Sequence, residues 1–153
     1  MDQTWWHRPE FQQRKLSRPV IASSYKYEAA NREPWHSHDQ AQFVFTVRGV
    51  LRVMTPIGMW TLGPHRGLWI APRIGHELIA TGEVLMHSVY FEPEASPWPE
   101  SECRALMVSS LLRELVAAMV DDKRNDPDRR YALITPLLLA EMRDSREALG
   151  GGL

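Results

Sequence analysis

Residues 35–49 read Trp-His-Ser-His-Asp-Gln-Ala-Gln-Phe-Val-Phe-Thr-Val-Arg-Gly. In its second half Phe43, Phe45 and Val47 share one face of an extended backbone, while Gln42, Val44 and Thr46 share the other. Neither face is built for water, so the stretch predicts a strand covered on both sides, with one side lining a cavity. Upstream, His36 and His38 stand two residues apart. If the strand is continuous, His36, His38 and Gln42 all project into that cavity. The full pattern is H-x-H-x3-Q-x6-G, ending at Gly49, and its spacing is that of ligands. His76 follows the turn Pro72-Arg73-Ile74-Gly75 and opens a later strand, from which it can complete the set across a barrel.

Working outward, short β-type runs lie at 42–48, 51–55, 59–62, 67–71, 77–80 and 84–91, separated by Gly and Pro turns at 49, 56–58, 63–64 and 81–82. Such spacing indicates a sandwich or barrel. Beyond it the period changes. Over 103–120, Leu111, Leu112, Leu115, Val116 and Met119 form one stripe at helical spacing. Asp126-Pro127 is an N-cap and first-turn signal for a second helix through Leu133, Leu137, Leu138 and Met142, with Pro136 as a kink or restart. The expected organisation is an arm (1–18), a β-barrel (19–100), a helical segment (101–148) and a glycine tail (149–153).

The 153 residues carry 18 Lys+Arg against 19 Asp+Glu, a net charge of -1, which lacks the basic surplus that phosphate contacts require. Apolar residues at 44% with 24% charged exclude wholesale disorder. Cys103 is the single cysteine, so no internal disulfide or cysteine-based zinc cluster forms, and metal chemistry must use histidine and oxygen. No run approaches a membrane span and residues 1–10 lack a secretion signal, so a cytoplasmic protein is expected.

The histidine pattern resembles the first box of the cupin superfamily, G-x5-H-x-H-x3,4-E-x6-G, with Gln42 at the glutamate position and Ala30 at the first glycine. Of the second box, G-x5-P-x-G-x2-H-x3-N, His76 alone remains; His65, Ala71, Arg73 and Ala80 stand at its other positions. The 15 residues between boxes, 50–64, suit a compact jelly-roll barrel. Across most of the chain, H-S-H-x3-Q, R-G-V-L-R-V-x-T-x-x-G-x-W, L-W-I-A-P and V-S-x-L-L-R-E-L resemble the ligand-sensing and dimerisation half of AraC-type transcriptional regulators. That resemblance implies a mainly β cupin barrel followed by two helices, a small effector bound in the barrel, and a homodimer through the 104–120 helix. DNA would be read by a further helix-turn-helix domain, so no nucleic-acid contact is expected from these residues, nor any membrane contact.

The expected ligand-binding residues are His36, His38, Gln42, Val44 and His76, walled by Trp35, Trp60 and Trp69. His36, His38 and His76, with Gln42 as a neutral fourth donor, form a candidate metal site suited to Zn, Ni or Fe. A hydrogen-bonding pocket floor is the other reading of the same residues. Trp5, Trp6 and Phe11 call for a surface to pack against, and the resemblance to AraC-type sensors implies an arm that closes over the effector. The competing function is a stand-alone metal-dependent cupin enzyme of oxygenase or isomerase type. Against it, Gln42 replaces the carboxylate, and Asp39 and Glu77 have the wrong parity to serve as a base. A third reading, a fragment that pairs with full-length regulators, needs only the helices.

Overall fold

The computed structural model describes residues 10–12, 15–28, 31–98, 102–121 and 126–148. Among these are ten strands: β1 (Glu10–Gln12), β2 (Val20–Tyr27), β3 (Asn31–His38), β4 (Ala41–Arg48), β5 (Leu51–Thr55), β6 (Gly58–Leu62), β7 (Arg66–Ile70), β8 (His76–Ala80), β9 (Val84–Phe91) and β10 (Arg104–Met107). Two helices follow, α1 (Ser110–Val120) and α2 (Pro127–Arg143). The strands form two five-stranded sheets of order β1-β3-β8-β5-β6 and β10-β7-β4-β9-β2. This is the expected jelly-roll followed by two helices.

The alternation in β4 decides how the layers stack. Val44 faces inward and packs with Leu68, Ile70 and Met86 against Leu51, Val53, Trp60, Leu62 and Leu78 of the facing sheet. Phe43 and Phe45 face outward, and with Trp69 and Phe91 they are covered by Leu112, Leu115 and Val116 of α1 and Leu138 and Met142 of α2. Burying one such leucine fully contributes roughly 1.5–3 kcal/mol. The helical stripe expected to meet a second chain is therefore largely occupied within this one. Leu111, Leu133 and Leu137 remain 46%, 65% and 48% exposed.

Four strands lay outside the sequence expectation, and one helix boundary moves. Residues 104–107 form β10, paired antiparallel to β7 from Arg104↔Trp69 to Met107↔Arg66, so the helix expected from 103 begins at Ser110 and the barrel extends past residue 100. The start is fixed by Ser109, whose Oγ accepts from Leu112 N at 3.0 Å and whose hydroxyl donates to Glu141 Oε2 of α2 at 3.1 Å. Asp126 caps α2 as expected, with Oδ1 accepting from Arg129 N at 3.2 Å. Pro136 lies inside α2 without ending it. The expected arm contributes β1, parallel to β3 in the register Glu10↔His36, Phe11↔Ser37 and Gln12↔His38. Trp5, Trp6 and the 149–153 tail lie outside the described residues.

Gly49 turns β4 into β5 at a φ of 84°, and a Cβ there would sit 2.3 Å from Glu83 O. Gly49→Ala is expected to lower stability by about 1–3 kcal/mol through backbone strain and this contact, read as a lower midpoint in chemical denaturation.

Candidate functional site

β3 and β8 pair antiparallel through Asn31↔Ala80, Arg32↔Ile79 and Glu33↔Leu78, and then the register shifts so that His36 faces His76. The extra residue lies at Pro34-Trp35, where proline has no N–H for the ladder. On an unbroken strand Glu33 and His36 would point to opposite faces. The bulge reverses the parity, so Glu33 shares the inward face of its partner Leu78, and His36 shares that of His76.

Three imidazoles meet there. Ring centroids are 4.3 Å apart for His36 and His76, 5.1 Å for His38 and His76, and 5.6 Å for His36 and His38. Each Nδ1 is anchored on a main-chain carbonyl two residues away: His36 on Pro34 O at 2.7 Å, His38 on Gln40 O at 2.7 Å and His76 on Ile74 O at 2.9 Å. A carbonyl only accepts, so each Nδ1 carries the hydrogen and each neutral ring presents a lone pair on Nε2. The three ligand atoms lie within 4.8 Å of one another, and all three residues are buried. His76 Nε2 is buried without a hydrogen-bond partner. Carbonyl-anchored imidazoles around such an atom are the donor set of a borderline divalent metal, with the second-shell contacts that orient ligating histidines already in place. The residues fit that ion.

Gln42 joins the cluster, its Oε1 3.3 Å from His38 Nε2 and its amide donating to Ser88 Oγ at 3.0 Å. Tyr90 stands edge-on to His38 and its hydroxyl meets that of Tyr25 at 3.3 Å. Val44 and Trp60 lie in the apolar layer between the sheets, the indole of Trp60 donating to Thr55 Oγ1 at 3.4 Å. Trp35 walls a cavity of about 390 Å³ with Met54, Ile57 and Met59. Trp69 does not join them. It has the parity of Phe43, not of Leu68 and Ile70, and lies beneath the helices against Phe91 and Trp98. Its expected place in the pocket wall is corrected accordingly.

Other titratable groups are engaged elsewhere. Glu77, adjoining His76 on the opposite face, is clamped by Arg32 at 2.7 Å, and Asp39 pairs with Arg73 at 3.0 Å on the surface. His87 packs on the outer side against Phe45, and His65 is exposed. Glu33, Ser88, Tyr25 and Tyr90 were not anticipated. Ser88 and Tyr90 share parity along β9, a readable signal, whereas Glu33 reaches the site only through the bulge.

Burial, helped by neighbouring His36 and outweighing the Ile74 contact, lowers the pKa of His76 from 6.5 to about 3. Between those values the unfolded chain binds a proton that the folded chain refuses, so stability is expected to fall as pH drops from about 6.5 toward 3. Denaturant midpoints of metal-free protein should follow that course, with a shallower slope in His76→Gln.

The sequence pattern of the family described as AraC-like ligand binding domain matches residues 19–138. Unsaturated fatty acid-bound ToxT from Vibrio cholerae strain SCE256 superposes with a TM-score of 0.61 at 6% identity, over 85% of this chain and 55% of that one. A conserved Streptococcus pyogenes protein of unknown function gives 0.48 at 12% identity over 54% of this chain and 81% of that one. A cupin superfamily protein from Desulfitobacterium hafniense gives 0.47 at 13% identity over 51% and 72%. No curated protein matches the chain by sequence. With its barrel and most of its helical layer inside the matched span, the chain belongs to the family of AraC-like ligand-binding domains.

Proposed function

We propose that this domain senses a small-molecule effector for a cytoplasmic transcriptional regulator, with a divalent transition metal held by His36, His38 and His76 and flanked by Gln42. DNA is read outside it. The observation that carries the metal reading is the trio of Nδ1-anchored rings around the buried, unpartnered Nε2 of His76. A bound ion would supply a Lewis-acidic centre for a donor atom of the effector. A separate cavity walled by Trp35, Met54, Ile57 and Met59, with no histidine in its lining, has the size of small-ligand sites, roughly 300–1,000 Å³. A ligand in the ToxT neighbour, an unsaturated fatty acid, sets a precedent for a partly apolar effector.

Signalling requires two states with different effector affinities. β1 is the element suited to report the site, since three residues hold it alongside His36, Ser37 and His38. An effector that reshapes the histidine strand changes how firmly this short edge strand docks. The regulatory reading is preferred to an enzyme because the family match is to a ligand-binding domain, and because Asp39 and Glu77 are held in ion pairs away from the histidines.

Calorimetric titration of chelator-stripped protein with Zn(II) is expected to give one equivalent bound, and the unfolding free energy to rise by about 2.7 kcal/mol at a hundredfold excess over Kd. His76→Ala should lose both effects. Absence of uptake by the wild type, or equal uptake by the variant, would overturn the metal reading.

A homodimer is part of the same proposal, now through the exposed leucines of the helical layer. Leu133 and Leu137 lie one turn apart on α2. Light scattering is expected to give twice the chain mass at micromolar concentration, and Leu137→Asp to give the single-chain mass. A wild-type monomer at every concentration removes the dimer.

A further inference from the structure

Gln42 occupies the place where the cupin pattern carries glutamate, so three histidines and an amide would leave a divalent ion with its full charge. A carboxylate nevertheless approaches one ring of the cluster. Glu33 Oε1 lies 3.7 Å from His36 Nε2, while Glu33 Oε2 accepts from the Tyr27 hydroxyl at 3.2 Å. His36 already donates from Nδ1 to Pro34 O, so in the neutral ring Nε2 is an acceptor facing a second acceptor. The 3.7 Å separation is too long for a charge-assisted N–H···O bond, which runs about 2.7–2.9 Å. It is close to the separation of two ligands on one metal: bonds of roughly 2.0–2.2 Å at tetrahedral angles place neighbouring donors about 3.3–3.6 Å apart.

Resting on the metal reading above, we propose that Glu33 is the anionic ligand of the His36–His38–His76 site, supplied from the β3 bulge in place of the residue at position 42. The Glu33 side chain is 35% exposed, against 5% for His36, so it stands at the mouth of the cluster with the buried rings behind it. Tyr27 holds the distal oxygen and leaves the proximal one turned toward the imidazole, the second-shell arrangement that fixes a ligating carboxylate. Gln42, donating to Ser88 Oγ with its Oε1 3.3 Å from His38 Nε2, then stays beside the site as a neutral donor.

The test is titration of the chelator-stripped full chain with Co(II), read by visible absorption and by competition with a chromophoric chelator. Wild type, Glu33→Gln, Tyr27→Phe and His76→Ala are compared, with metal-free melting curves reporting folding. The wild type is expected to take up one Co(II) and His76→Ala none. Glu33→Gln should bind more than tenfold more weakly with an altered spectrum, and Tyr27→Phe, which keeps the carboxylate but frees its distal oxygen, about tenfold more weakly. If Glu33→Gln does not fold, Tyr27→Phe carries the test. Unchanged affinity and spectrum in Glu33→Gln, or in Tyr27→Phe where it stands alone, overturn the Glu33 assignment and leave the histidine site standing. Failure of the wild type to bind Co(II) overturns both.

Discussion

Burial of β4 on both faces is the constraint to which the rest of the architecture answers. An antiparallel sheet commonly leaves one face to water, but Phe43 and Phe45 forbid that, and the second sheet already covers the opposite side. A third layer is needed. The chain supplies it after the barrel, where β10 lengthens the sheet and Ser109 launches α1 back across it. Leu112, Leu115 and Val116 are thereby drawn into the domain's own core, and any association of two chains must use what the helices leave outside.

The inner face is governed by a smaller irregularity. A regular β3 would send Glu33 away from the histidines, whereas the bulge at Pro34-Trp35 turns it toward them. Pro34 has two parts in this: it interrupts the ladder, and its carbonyl holds His36 Nδ1. The backbone thus sets both the ring tautomer and the company the ring keeps. Local carbonyls do the same for His38 and His76, so the orientation of all three rings depends on nearby main chain and not on distant side chains.

Much of this was readable in the sequence where the pattern had a clear period. The strands at 51–55 and 84–91 are found at those bounds, and the alternation of β4 separated its two buried faces correctly. His36, His38, Gln42 and His76 were brought together by the cupin resemblance; the continuous strand expected from His36 to Gln42 is broken after His38, and Gln42 reaches the cluster from the other sheet. The failures have physical causes. β2 and β3 hide because Val20–Tyr27 is half-buried without clean alternation, and Asn31–His38 contains a proline and turns polar ligands inward. β10 was absorbed into a helix because Ala105, Leu106 and Val108 extend the apolar run of α1. Trp69 was misplaced since a tryptophan in a strand declares its bulk but not its side, and Glu33 was missed since parity cannot see a bulge.

The pairing of β2 with β9 joins Val20 to Phe91, and that of β3 with β8 joins His36 to His76. These partners are remote in sequence, so the chain must lose the entropy of long loops before either ladder can form. Folding on the millisecond-to-second scale of β-rich topologies follows, about as slow as two-state domains become. The histidine cluster forms only where β3 pairs with β8, because two of its rings belong to the first strand and the third to the second. A nascent chain holding only the first of these strands presents His36 and His38 as two neighbouring imidazoles and no more.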